Sequence, residues 1–275
     1  MEPTVKVTSI LAKDIDAPSP LYKYRCWDNV FHKAILSLQE IYLAPPSSFE
    51  DKREFRNFKR YDLMNDEDIY AKYLQFSKDK NGGFTPEQHN TYAIEWTNRA
   101  PFKDPNYLKT AEEEQFKEYD GRIGILSLTE YNDSLAMWNY YSNKGSGFCV
   151  GFDTNVLFKF IGGGGKVDYP IAGLPIINGT DSYLVERWKK TFNKEVKWTF
   201  EQEYRVSIFN PDGLSNQQRK IKLPIECIKE VIFGWNILPK EKQKIIKVCK
   251  TVGLQVRYYQ AIKGNDPVTI RQVEA

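Results

Sequence analysis

The chain has 275 residues, of which 41% are hydrophobic and 14% aromatic, enough apolar sequence for a sizeable core. Its 39 basic and 36 acidic residues give a net charge of +3, which excludes a strong field for bulk binding of nucleic acid or membrane. The sequence has no apolar run of about 18 residues and no signal-peptide pattern at its start. We therefore predict a cytoplasmic protein without a membrane partner.

Cysteines and histidines offer few chemical groups in this sequence. The four cysteines form no C-x-x-C pair, and we expect reduced, mostly buried thiols rather than a zinc site or a disulfide framework. They are Cys26, Cys149, Cys227 and Cys249. Neither His32 nor His89 lies in a recognisable nucleophile motif, so the sequence predicts ordinary surface or packing roles for both.

The first 120 residues predict a lead-in, a small strand and a helical region. Residues 1–20 have no sustained apolar period and contain several prolines, which predicts an irregular lead-in. A short strand is predicted at 21–25, where Lys23 and Arg25 share one face. From about residue 50 to 120 the charge-rich sequence predicts surface helices that form an insertion in the domain.

The second half of the sequence is rich in strand patterns. Residues 124–129 alternate so that Ser127 and Thr129 point to the same side. The four glycines at 162–165 predict a flexible loop, because they lack the Lys-Ser/Thr and the following helix of a P-loop. The other predicted elements are helices at 29–39 (capped by Asp28), 135–141, 180–195 and from Pro239 to a C-cap at Gly253, and strands at 41–44, 148–152, 166–169, 221–223, 230–234 and 254–259. This order favours a mixed, mainly antiparallel α+β fold, with one domain at 21–275.

The stretch from Trp198 to Ser207 carries the most informative pattern. Read as one strand, it places an apolar row on one face and Glu201, Glu203 and Arg205 on the other. Two carboxylates about 7 Å apart on one strand face repel each other unless a cation, a ligand or water separates them. The pattern is compatible with a half-exposed strand whose charges pair across the ladder, and also with a catalytic Glu-x-Glu pair.

Two resemblances bear on this choice. The segments YKYR, ILSLTE, LAMWNYYSNKGSGFCVGFD and KWTFEQEYR resemble an uncharacterised bacterial family, a domain of unknown function, over most of residues 21–235. The order of Arg25, the Ser127-Leu128-Thr129 edge and Glu201-Gln202-Glu203 resembles the arginine, serine, glutamate signature of ADP-ribosyltransferases. The sequence departs from that signature in the long separation between arginine and serine, and in having Ser-Leu-Thr where the signature has Ser-Thr-Ser.

The second resemblance implies an ADP-ribosyltransferase-like core that consumes NAD and passes ADP-ribose to a protein, a nucleic acid or water. By it, Glu203 stabilises the oxocarbenium-like centre and Glu201 orients or deprotonates the acceptor. Ser127, with Thr129 on the same edge, would position the ribose or hold Glu203, and Arg25 would bind the phosphates. By this resemblance, one aromatic side chain among Trp138, Tyr140 and Tyr141 would stack on the nicotinamide. A bacterial toxin or a phage-defence effector would fit this resemblance.

Other interpretations of the same residues stay open at this point. Asp153, Glu201 and Glu203 supply the oxygen ligands of a Mg²⁺-dependent nuclease or phosphodiesterase, although no lysine or histidine partner lies at motif spacing. A non-catalytic module would use the aromatic side chains to bind a nucleotide or a peptide. Each residue also has an ordinary role: Arg25 as an ion-pair partner, Ser127 as a strand hydroxyl, and the aromatic residues as core.

Overall fold

The computed structural model describes residues 16–99, 101–264 and 266–274. Among these residues the chain folds into helices and mostly short strands. The helices are α1 Val30–Ser37, α2 Asp66–Lys80, α3 Pro86–Arg99, α4 Pro105–Arg122, α5 Leu135–Tyr141, α6 Thr154–Ile161, α7 Tyr183–Thr191 and α8 Pro239–Thr251. The strands are β1 Leu21–Arg25, β2 Glu40–Tyr42, β3 Lys59–Arg60, β4 Ile123–Thr129, β5 Phe148–Phe152, β6 Gly164–Lys166, β7 Ile177–Asn178, β8 Glu203–Phe209, β9 Lys220–Lys222, β10 Ile228–Phe233, β11 Arg257–Ile262 and β12 Thr269–Val273.

The described residues form two compact units. The first contains Asp51–Tyr119 and Leu174–Asn193, and so holds α2, α3, α7, most of α4 and the parallel pair of β3 and β7. The second contains residues 16–50, 120–173 and 194–274 apart from 265, with the main sheet and the remaining helices. The prediction of a single domain with a helical insertion at about 50–120 stays a prediction, as does the lead-in, most of which lies outside the described residues.

An eight-stranded sheet organises the second unit. Its order is β12-β11-β10-β5-β1-β4-β8-β6, and every neighbouring pair is antiparallel except β10 with β11. The predicted mixed, mainly antiparallel α+β class is therefore confirmed. One face carries the larger apolar core, which includes Leu128, Val150 and Val206. The other face carries a smaller core around Tyr24, Trp138 and further aromatic side chains.

Strands β1 and β4 lie side by side in this sheet but pair at one position only. Tyr22 pairs with Thr129, whereas β1 and β5 remain in register over five residue pairs. Beyond that point the backbone carbonyls of Ser127 and Tyr24 accept hydrogen bonds from the side chains of Lys23 and Arg25. The sheet thus opens between β1 and β4, and basic side chains satisfy main-chain acceptors at the opening.

Local chemistry explains most helix ends. Asn29 caps α1 by accepting hydrogen bonds from two backbone amides, and Ser134 caps α5 by accepting one from the Met137 amide, as expected for short polar side chains at this position. Helix α6 ends at Gly162, whose positive φ of 104° suits a residue without a side chain. The prediction of Asp28 as the cap of α1 is wrong by one residue.

Three other local predictions differ from the structure. Gly164 and Gly165 belong to strand β6 rather than to a flexible loop, because only a glycine allows the close approach of Gly164 to the backbone of Arg205. The last predicted strand at 254–259 is shifted to β11, and β12 was not predicted. Helix α8 has Val252 rather than Gly253 at its C-cap. Within the described residues, no helix is long and apolar enough to span a membrane.

Candidate functional site

Two buried glutamates and a lysine form a charged centre in the second unit. Glu201 ends the 3₁₀ helix Val196–Glu201 and Glu203 begins β8, and these residues are only 4% and 2% exposed. Lys194 Nζ donates to Glu201 Oε2 at 2.6 Å and to Glu203 Oε2 at 3.4 Å. One ammonium group therefore bridges two carboxylates and offsets their mutual repulsion.

Further donors fix the orientation of each carboxylate. Arg205 is fully buried and holds Glu203 in a two-point contact, from Nε to Oε1 at 2.7 Å and from Nη2 to Oε2 at 2.9 Å. The Tyr141 hydroxyl donates to Glu201 Oε1 at 2.5 Å. The backbone amide of Glu203 donates to the Tyr169 hydroxyl at 3.0 Å. Both carboxylates are thus held by charged or phenolic donors, which gives them a defined geometry.

The environment moves the pKa values of the two carboxyls in opposite directions. Burial, and then the charge of Glu203, raises the pKa of Glu201 despite its contacts with Lys194 and Tyr141. Burial would also raise the pKa of Glu203, but Arg205 and then Lys194 lower it to about 2. Glu203 is therefore ionised at neutral pH, and Glu201 takes up a proton at a higher pH than Glu203 does. Such a divided pair is typical of sites that carry out acid-base chemistry.

The strand register brings the predicted serine and threonine to this centre. Ser127 lies directly opposite Arg205, and Thr129 lies opposite Glu203, so these four side chains share one face of the sheet. Ser127 Oγ is buried without a hydrogen bond of good geometry among the described residues, yet it lies close enough to Glu203 to help lower the pKa of that carboxyl. Thr129 Oγ1 accepts a hydrogen bond from the backbone amide of Tyr131, which is a turn contact.

Lys23 reaches the same centre through the opening between β1 and β4. Its Nζ donates to the backbone carbonyl of Ser127 at 2.5 Å. Burial, and then the neighbouring Arg25, lowers the pKa of Lys23 to about 7, whereas Glu203 and Glu201 raise it. No carboxylate among the described residues lies within ion-pair distance of Lys23 or Arg25. An anion would therefore stabilise the protonated form of both side chains.

Arg25 is placed differently from the serine and the glutamates. Because Tyr22 pairs with Thr129, the register puts Lys23 and Arg25 on the opposite face from Ser127 and Glu203. The Arg25 guanidinium donates to the Tyr24 carbonyl at 3.3 Å, and burial lowers its pKa to about 10. Lys23 rather than Arg25 is therefore the basic side chain of β1 that donates a hydrogen bond to β4.

The three aromatic residues singled out in the sequence have different environments. Trp138 is fully buried, donates from Nε1 to the Asn132 carbonyl and packs edge-on against Tyr24. Tyr141 bonds Glu201, as described above. Tyr140 is 46% exposed and contacts the rings of Trp198 and Phe200 on the 3₁₀ helix. Trp138 is thus a core residue, and the accessible aromatic surface near Glu201 comes from Tyr140 and the 3₁₀ helix.

An open cleft lies beside this aromatic group. It has a volume of about 480 Å³, and its lining includes Phe200 and Gln202, which flank Glu201 in the chain. Tyr131 and Ala136 contribute further apolar surface, and Asp133 and Asp266 contribute carboxylates. The lining of the cleft therefore combines apolar surface with carboxylates.

The prediction of one continuous strand from Trp198 to Ser207 is wrong. Strand β8 starts at Glu203, Trp198 to Glu201 form a 3₁₀ helix, and Gln202 between them has a φ of 40°. Aromatic packing of the 3₁₀ helix against Tyr140 replaces the expected alternation. The carboxylates nevertheless meet, because both turn towards Lys194. Its ammonium is the cation that separates them, which is one of the three possibilities that the sequence left open, beside a ligand and water.

Sequence reasoning missed four members of the centre. Arg205 and Lys23 were visible as charged neighbours of predicted site residues, on the same strand face in each case. Lys194 had no comparable signal, since it follows a basic helix and only folding brings it to the glutamates. Tyr169, from a segment predicted as strand, was also missed.

The ligand set suggested for a metal-dependent enzyme is dispersed. Asp153 caps α6 through the Val156 amide and lies 3.7 Å from Lys229. Glu201 and Glu203 contact Lys194 instead. Among the residues that the structure describes, no group of three or more His, Cys, Asp or Glu side chains is arranged to hold a metal ion.

The chain has no significant match among family models, curated proteins or solved structures.

Proposed function

We propose that this protein is an NAD-consuming enzyme with an ADP-ribosyltransferase-like core, which cleaves the bond between nicotinamide and ribose. The observation that carries the proposal is the buried pair of Glu201 and Glu203. Lys194 bridges the two carboxylates, and their pKa values are moved in opposite directions. The proposal also draws on the resemblance of Arg25, Ser127 and the two glutamates to the signature of that enzyme class.

The two glutamates would have separate roles in the reaction. Nicotinamide leaves with the electron pair of the glycosidic bond, and positive charge develops on the ribose. The ionised Glu203 stabilises that charge in the transition state more than in the ground state. Glu201, in its ionised form, accepts a proton from the acceptor nucleophile or water as the new bond to ribose forms. The acceptor is a protein, a nucleic acid or water.

Lys23 and Arg25 lie on the face opposite Ser127 and Glu203, so they would bind the diphosphate of the substrate through the opening between β1 and β4. Lys23 and Arg25 have no ion-pair partner among the described residues, and phosphate oxygens match the donors of both side chains. Ser127, whose hydroxyl lacks a well-formed hydrogen bond to the residues that the structure describes, would donate to the ribose next to Glu203. Tyr140, with Trp198 and Phe200, offers the accessible rings on which nicotinamide would stack.

A non-catalytic binding module is the second candidate. The observation that favours it is that both oxygens of Glu203 are engaged by Arg205 and Lys194 within a residue that is 2% exposed. In that case the charged centre would stabilise the sheet where it opens between β1 and β4. The cleft beside Phe200 would bind a nucleotide or a peptide without turnover.

The deciding experiment is nicotinamide release from NAD by the purified protein, with a chelator present and with cell extract as a source of acceptors. Glu203→Gln is compared with Glu230→Gln, a matched control. Glu230 is also a buried carboxylate on the same sheet, bonded to Arg257 at 2.6 Å and to Tyr22 at 3.0 Å, but it lies on β10. We expect release that is lost in Glu203→Gln and kept in Glu230→Gln.

Other outcomes separate the alternatives. No release by the wild type in any condition would refute NAD cleavage. Binding of a nucleotide without turnover would then favour the binding module. Hydrolysis of a nucleic acid that needs a divalent metal would favour the nuclease interpretation.

A further inference from the structure

Lys194 is a buried lysine that contacts two carboxylates. Its residue is 6% exposed, and its ammonium contacts two carboxylates that belong to a 3₁₀ helix and to the following strand. It also lies 4.9 Å from the centre of the Trp198 ring, and its backbone amide donates to the Asp168 carbonyl at 3.0 Å. The side chain is therefore held in place by both its main chain and its surroundings.

The two contacts of Lys194 are unequal. The ammonium is 2.6 Å from Glu201 and 3.4 Å from Glu203. Within the part of the chain that the structure describes, Glu203 has a second cation in Arg205, whereas Glu201 has only the Tyr141 hydroxyl in addition. Lys194 is thus the only cation within ion-pair distance of Glu201 among the described residues. Removal of its charge would leave Glu201 buried next to another carboxylate.

We propose that Lys194 is a positioning residue that holds Glu201 ionised beside Glu203 and keeps both carboxylates turned towards its own ammonium group. This inference rests on the proposed function for its catalytic meaning. Its physical part, the control of Glu201 by Lys194, stands on the contacts alone. The active form of the pair is then the one in which both glutamates are ionised around a single ammonium group.

Other charged and titratable groups act on the same pair from each neighbouring element. They are Lys23 from β1, Tyr140 and Tyr141 from α5, Tyr169 after β6, Arg205 from β8, and Glu50 through its contact with Tyr140. Of these, Tyr141 donates to Glu201 and Lys23 acts on it at longer range. Lys194 is the one whose loss removes a direct ion pair from Glu201.

The test compares Lys194→Met, Lys194→Gln and Lys194→Arg with the wild type. Lys190→Met is the matched control, because Lys190 is also a buried lysine and its ammonium lies 2.7 Å from Glu186 in the first unit. The first measurement is the carboxyl titration of Glu201 by ¹³C NMR on glutamate-labelled protein, assigned with Glu201→Gln. The second is the pH profile of kcat/KM for nicotinamide release.

We expect the pKa of Glu201 to rise by about one pH unit or more in Lys194→Met and Lys194→Gln, and to stay near the wild-type value in Lys194→Arg. The acid limb of the pH profile should move by the same amount, so that activity below it falls about tenfold while activity at alkaline pH falls less. Lys190→Met should change neither measurement. Lys194→Gln retains a hydrogen-bond donor, so that it serves if Lys194→Met does not fold.

A Glu201 titration that is the same in Lys194→Gln and the wild type would overturn the inference. So would a loss of activity that is uniform across pH and matched by Lys190→Met. If the wild type releases no nicotinamide, the proposed function fails, but the NMR titration still decides whether Lys194 controls Glu201.

Discussion

Lys23 gives the sharpest stability prediction, because its charge has no ion-pair partner among the described residues. We consider Lys23→Met, which keeps most of the apolar stem and removes the ammonium. Burial and the nearby Arg25 lower the pKa of Lys23 from 10.5 to about 7. The unfolded chain therefore holds this proton more tightly, and the contribution of Lys23 makes wild-type stability rise with pH between about 7 and 10.5.

The magnitude follows from the same pKa change. At about 1.36 kcal/mol per pH unit, the full change corresponds to an upper limit of about 5 kcal/mol lost from the free energy of unfolding below pH 7. Partial exposure of Lys23 screens its charge, and its hydrogen bond to the Ser127 carbonyl is worth about 1 kcal/mol. We expect Lys23→Met to be more stable than the wild type by about 2 kcal/mol near neutral pH.

Urea unfolding at about pH 6.5 and about pH 10 measures this difference. The gain in Lys23→Met should be present at the lower pH and shrink towards the higher one. Lys240→Met, at an exposed position of α8, is the control and should show no such dependence. An effect of Lys23→Met that is equal at both pH values would refute the buried-cation argument. Saturating ADP should also stabilise the wild type more than Lys23→Met if the diphosphate neutralises this charge.

The remaining predictions concern the aromatic residues. Trp138→Ala should lower the free energy of unfolding by about 3 to 5 kcal/mol, because it empties a fully buried position, and chemical denaturation measures this. A loss below about 1 kcal/mol would contradict the core role. Tyr140→Ala should change stability by less than about 1 kcal/mol, since this side chain is 46% exposed, and should raise the KM for NAD in steady-state assays. An unchanged KM would show that Tyr140 does not contact the substrate.

A substitution in the charged centre affects the stability of the protein as well as its proposed chemistry. Glu201 and Glu203 are buried and hydrogen-bonded to Lys194 and Arg205. Removal of one charge from such a network lowers the free energy of unfolding. This is why the Glu203→Gln experiment needs a carboxylate control of equal burial on the same sheet. A drop in stability shared by Glu203→Gln and Glu230→Gln reports on folding, whereas a loss of nicotinamide release confined to Glu203→Gln reports on chemistry.

The sequence by itself determined the elements whose signals are local. The alternation at β4 and the apolar run of β5 each follow from neighbouring side chains, and the structure contains both. The mixed, mainly antiparallel class followed from the order of such elements. The sequence also indicated that a cation, a ligand or water separates the two carboxylates, because their repulsion is a property of the residues themselves.

Only the tertiary structure decided which groups meet. Lys194 reaches the glutamates because a 3₁₀ helix and a left-handed Gln202 turn the chain back, and no local pattern encodes that path. The single pairing of β1 with β4 places Lys23 rather than Arg25 against Ser127. The pairing of β1 with β4 depends on contacts between residues about one hundred positions apart in the chain, such as Tyr22 and Thr129. Side-chain alternation fixes which residues share a face, but the partner strand and the register of the pairing decide what lies across from them.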